Sequence, residues 1–127
     1  MNLLSETLAK MEAYGKKFTD VREVQWIVLS KDTDCTDGTY EHGVEYKRCT
    51  WDTFSKAAAK IDYDYDYGIH EIEDSLIVLF NDGNWLERWE YDGSEGWEYR
   101  KPELPMQDEC KWEEDVEEIR KQFLMWD

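Results

Sequence analysis

The sequence predicts one α+β domain spanning residues 1–127, built on an antiparallel sheet of about five strands with helices packed against it. Three observations carry this. Apolar residues recur at helical spacing in three separated stretches, strand-like runs bounded by turn residues fill the space between them, and a chain of 127 residues has room for only one core. Aromatics make up 15% of the chain, far more than acidic disordered segments carry, so it folds.

Residues 3–18 read as an amphipathic helix with Leu4, Leu8 and Met11 on one face, closing near Gly15 and Phe18. Residues 22–30 read as a strand with Val24, Trp26 and Val28 facing one way and Ile27 and Leu29 the other. Apolar residues on both faces place it centrally in its sheet. After a polar loop over 31–43, a short strand around Val44 to Lys47 pairs back on the first. Thr50 caps a second helix over 51–61, with Trp51, Phe54, Ala58 and Ile61 as its stripe.

A meander follows. Leu76 to Phe80 forms one strand, Asn81-Asp82-Gly83-Asn84 a turn suited to type I′, and Trp85 to Tyr91 the return. Asp92-Gly93-Ser94-Glu95-Gly96 turns the chain into a third strand, Trp97 to Lys101. Trp85, Trp89 and Tyr91 share one face and Trp97 and Tyr99 a face of the next strand, which reads as buried cross-strand packing. Residues 110–126 read as a last helix with Trp112, Val116, Ile119, Phe123 and Trp126 buried. The expected order is α-β-β-α-β-β-β-α.

Charge is the most unusual feature. Thirty-one acids against fifteen bases give −16, a field that repels nucleic acid and anionic membrane and attracts basic surfaces. Direct nucleic-acid binding and membrane association are therefore not expected, and no run approaches the ~20 apolar residues of a membrane span. Three cysteines without CxxC spacing (Cys35, Cys49, Cys110) and no leader-like segment point to reduced thiols in the cytoplasm.

Two acidic clusters stand out. Asp62, Asp64, Asp66, Glu71, Glu73 and Asp74 occur without a Lys or Arg among them. Glu113, Glu114, Glu117 and Glu118 lie in the second, where only Lys111 offsets the acids of residues 108–118. In extended chain, residues two apart project to one side at roughly 6.7 Å, so Asp62, Asp64 and Asp66 could present carboxylates where a basic groove expects phosphates. Glu114, Glu117 and Glu118 would form a ridge on the last helix. The competing reading is that both clusters are solvated faces.

Asp62, Asp64, Asp66 and Glu73 also fall at positions one, three, five and twelve of a calcium loop. Tyr67, however, stands where the sharp turn needs Gly, and Gly68 arrives one residue late, so only weak affinity of ~10⁻⁴–10⁻³ M is expected there. His42 and His70 sit in no catalytic motif, Cys35, His42 and Cys49 match no zinc spacing, and no phosphate loop or nucleophile elbow is present. No catalytic residue, metal or cofactor is expected.

The acidic composition, together with the stretch Trp85-Leu86-Glu87-Arg88-Trp89-Glu90-Tyr91-Asp92-Gly93-Ser94-Glu95-Gly96-Trp97-Glu98-Tyr99, resembles small acidic anti-defence proteins of phages and mobile elements, the anti-CRISPR proteins in particular. The likeness is compositional over most of the chain and carries over no functional residues. It implies a stoichiometric, non-enzymatic inhibitor that occupies the basic nucleic-acid-binding surface of a host defence nuclease, such as a CRISPR effector, in the host bacterial cytoplasm. The alternatives are an interaction domain whose charge serves solubility, or a calcium-binding module.

Overall fold

In the computed structural model the described residues are 1–30, 43–63, 71–91, 94–101 and 110–124. They form helices α1 (Leu3–Ala13), α2 (Trp51–Ala58) and α3 (Val116–Phe123) and strands β1 (Val21–Ser30), β2 (Gly43–Cys49), β3 (Ile77–Phe80), β4 (Trp85–Tyr91), β5 (Ser94–Arg100) and β6 (Lys111–Trp112). The fold is α+β, as the sequence predicts. The sheet differs in detail: it has six strands in the order β5-β4-β3-β1-β2-β6, and it is mixed, because β6 lies parallel to β2.

β1 is central, between β2 and β3, which explains why both of its faces are apolar. One face of the sheet carries Val24, Trp26, Val78, Leu86 and Trp97, and the helices close over it. The Phe123 ring of α3 meets Trp26 edge-on at 5.0 Å, Phe54 of α2 lies 5.7 Å from Phe123, and Tyr14 just past α1 stacks on Tyr99 at 4.2 Å. Cys49 is buried in this core, which pushes its thiol well above the ordinary range.

Caps set the helix boundaries. Asn2 accepts from the Ser5 N–H and Thr50 from the Thr53 N–H, the latter as predicted. Asp115 accepts from the Glu117 and Glu118 N–H groups and thereby starts α3 at Val116. The expected helix over 110–126 is thus shorter: Lys111 and Trp112 run as the β6 strand, Trp112 is 53% exposed, and the buried stripe is Ile119 and Phe123 with Val116 half-buried. Trp126 lies outside the described residues.

Two further expectations are corrected. α1 buries Leu3, Thr7 and Met11 while Leu8 is exposed, one residue out of the predicted phase. The cause is Thr7, whose hydroxyl donates to the Leu3 carbonyl at 2.6 Å and accepts from the Trp97 indole at 2.9 Å, so a polar side chain faces the core fully bonded. The β3–β4 turn is a three-residue loop, not a two-residue type I′ turn. Gly83 N–H donates to Phe80 C=O, Phe80 N–H donates to Asn84 C=O, and Gly83 takes φ 89°.

Candidate partner-binding surface

The strand registers gather three chain segments at one end of the sheet. Ser30 pairs with Gly43, Ser75 Oγ accepts from Ile27 N–H, and Tyr91 pairs with Ser94. At this end β1 stops at Ser30 and β2 starts at Gly43, residues 71–75 lead into β3, and β4 stops at Tyr91 and β5 starts at Ser94. The sequence of 31–42, 64–70 and 92–93 holds seven acids (Asp32, Asp34, Asp37, Glu41, Asp64, Asp66, Asp92) and the single base Lys31. The described residues carry twenty acids and fourteen of the fifteen bases, so most of the net charge belongs to the segments between them.

Of the first predicted cluster, Asp62 is exposed and accepts from the Asn2 amide at 3.0 Å. Asp64 and Asp66 lie outside the described residues. Glu71, Glu73 and Asp74 follow one another at the acidic end of the sheet, with Asp74 exposed and the other two half-buried. Glu73 accepts from both the Ser75 N–H and the Ser75 hydroxyl. Burial holds its carboxyl above the ordinary range; the Ser75 bonds oppose this and adjacent Asp74 adds to it.

The second cluster is not the ridge expected. Glu113 and Glu114 precede α3, so Glu114 does not share a helix face with Glu117 and Glu118. Glu117 is held by Lys60 at 2.7 Å and Arg120 at 3.2 Å, which lowers its pKa. Glu113 faces Lys47 at 3.5 Å, and Glu118 accepts from Gln122. Lys47 and Lys60, both distant in the sequence, and Arg120, one turn along the helix, thus offset Glu113 and Glu117 of this cluster.

A feature the sequence reading did not single out lies beneath the first cluster. Arg88, its side chain 2% exposed, pairs with Glu95 at 3.0 Å and Glu6 at 2.9 Å and donates to the Tyr63 hydroxyl at 3.2 Å. Its guanidinium lies over the Trp97 and Tyr63 rings. Glu95 in turn accepts from the Glu71 and Ile72 N–H groups at 2.6 and 3.0 Å. One buried ion pair therefore ties both stems of the acidic segment, Tyr63 before it and Glu71–Ile72 after it, to the sheet. The only sequence signal was Arg88 at an inward position of an alternating strand, since a buried charge requires partners.

The outer face of the sheet is the other departure. Trp89 is 40% and Tyr91 79% exposed, and only Trp85 of that trio is buried. The Trp89 ring lies across Gly96, where a Cβ would come within 3.0 Å of the indole nitrogen. Among the described residues no group of three or more His, Cys, Asp or Glu side chains is arranged to hold a metal, and Asp62 and Glu73 of the calcium pattern are engaged with Asn2 and Ser75.

No family model, curated protein or solved structure matches this chain. Among the described residues no helix is long and apolar enough to cross a membrane.

Proposed function

We propose that the protein is an acidic binding protein that acts stoichiometrically by covering a basic, nucleic-acid-binding surface of a host defence nuclease, a CRISPR effector being the leading class. The observation that supports this most is that the strand ends flanking the acid-rich stretches 31–42 and 92–93 lie at one end of the sheet together with Glu71, Glu73 and Asp74, while most of the described bases are spent in internal ion pairs elsewhere. A one-sided field of that kind steers encounter with a basic cleft. The Arg88–Glu95 pair supports it further, because pre-ordered stems lower the ordering cost of binding.

The test is retention of bacterial proteins on the immobilised chain at low and raised salt, followed by titration of a retained nuclease. The proposal expects a basic nuclease that elutes with salt, and inhibition that saturates at equimolar ratio. Retention of no nucleic-acid-binding protein at low salt, or inhibition at far below equimolar amounts, would refute it.

A further inference from the structure

A groove of about 460 Å³ opens at the acidic end of the sheet, between β1, the segment leading into β3 and the end of α3. Its walls are aliphatic, from Ile27, Val28 and Leu124, and Glu73, Asp74 and Ser75 form one side. Gln122 also lines it, and its carbonyl is already taken by the Trp26 indole at 2.8 Å. Among the described residues, Glu73 and Asp74 are thus the only titratable groups in it.

We infer that this groove is a docking pocket for one lysine side chain of the basic partner, an inference that rests on the function proposed above. Groove and side chain are complementary in shape and charge. Lysine joins a four-carbon apolar stem to a compact cation, and a groove with aliphatic walls and a carboxylate side matches both parts. Arginine fits less well, because among the described residues no aromatic ring lines the groove to stack on a guanidinium. The anionic side is preset: Ser75 is fixed through the Ile27 N–H at 2.9 Å and in turn fixes the Glu73 carboxylate at 3.0 Å. Asp74, exposed at the mouth, meets an incoming ammonium first. The carboxyls of Glu73 and Asp74 repel one another, and a bound ammonium removes that repulsion, so occupation also favours the ionised form of Glu73.

The experiment titrates the intact protein with Nα-acetyl-lysinamide, and with Nα-acetyl-norleucinamide as the uncharged analogue, following backbone amide shifts. The expected result is saturable shifts confined to Val28, Ser75, Leu124 and their neighbours, with Kd on the order of 1 mM as befits so small a ligand. Norleucinamide should bind at least about 5-fold more weakly, and Asp74→Asn with Glu73→Gln should weaken lysinamide by a similar factor. The Gln side chain keeps an acceptor for Ser75, so the fold is retained. Equal binding of norleucinamide, shifts scattered over all acidic segments, or no shifts at 50-fold excess over that Kd would each overturn the pocket. Because the probe is a single amino-acid derivative, its failure leaves the nuclease proposal standing. An empty nuclease pull-down with a lysinamide-binding groove would instead remove the partner and keep the pocket.

Discussion

The guanidinium of Arg88 and the carboxylate of Glu95 meet at 3.0 Å with both side chains 2% exposed, and the same carboxylate receives two backbone N–H groups from residues 71 and 72. A carboxylate satisfied this way joins the sheet to the stem of an acidic segment. The bonding is incomplete on the other side: among the described residues Arg88 Nε and Glu6 Oε2 are buried without a hydrogen-bond partner. The network therefore fixes geometry more than it adds stability.

Removing one member should be severe. Arg88→Met leaves Glu95 and Glu6 buried without their cation, and it should cost about 3–5 kcal/mol by chemical denaturation. Glu95→Gln keeps one acceptor for the Ile72 N–H and should cost less, while speeding hydrogen exchange at the Glu71 and Ile72 amides. Exchange there as slow as in the wild type would show that Glu95 does not hold this segment.

Stability should rise as the solution is mildly acidified. Burial raises the carboxyls of both Glu6 and Glu73, with Arg88 opposing it at Glu6 and Ser75 opposing it at Glu73. A carboxyl whose folded pKa exceeds its unfolded value contributes stability that is complete below the unfolded value and lost as pH rises through the folded one. Both groups therefore weigh against the fold at pH 7, and relief of the −16 net charge acts in the same direction. Asp82 beside Lys16 and Glu117 beside Lys60 are lowered and act oppositely, but both are solvent-screened. Tm should climb from pH 7 toward pH 5; a steady fall over that interval would contradict these assignments.

The outer aromatics predict a different pattern. Trp89 is substantially exposed, so Trp89→Ala should cost about 1 kcal/mol, well below the ~3–5 kcal/mol of a buried aromatic. Gly96→Ala should cost about 1–3 kcal/mol, because the new methyl must displace the Trp89 ring. In the double variant the second cost should largely vanish, since the obstacle is gone; additive losses would place the strain elsewhere.

The sequence revealed elements whose local signals agreed with their packing. β1 was legible as central from its two apolar faces, and α2 from Thr50 together with Phe54, Ala58 and Ile61. Legibility failed where a single polar contact decides the outcome. Thr7 faces the core because Trp97, ninety residues away, supplies its partner, and no window around α1 contains that information. Trp112 fitted the helical stripe of α3, but Asp115 captures the N–H groups of Glu117 and Glu118 and starts the helix after it. The meander showed that Trp85, Trp89 and Tyr91 share a face without showing that the helices cover the other one. The acids of the candidate surface were visible as runs, whereas their neutralisation by Lys47 and Lys60 depended on tertiary placement.

That placement separates the two acidic clusters. Replacing Asp62, Asp64 and Asp66 together by Asn removes three charges from a stretch whose sequence contains no base, although the last two lie outside the described residues. Replacing Glu114, Glu117 and Glu118 together by Gln removes charges of which one is already balanced by Lys60 and Arg120, and it frees those bases. If partner encounter is steered by the unbalanced field, the first variant should slow association by about 10-fold at low salt. The second should slow it by no more than about 2- to 3-fold, and both differences should shrink once the screening length falls to about 8 Å near physiological salt. Dissociation rates should change less than association rates in both. The measurement is association kinetics with the captured partner at two ionic strengths, with melting temperature recorded to confirm intact folds. Equal slowing by the two variants would mean that net charge alone, and not its arrangement, guides the encounter. No slowing by either would leave the acids a solubilising role only.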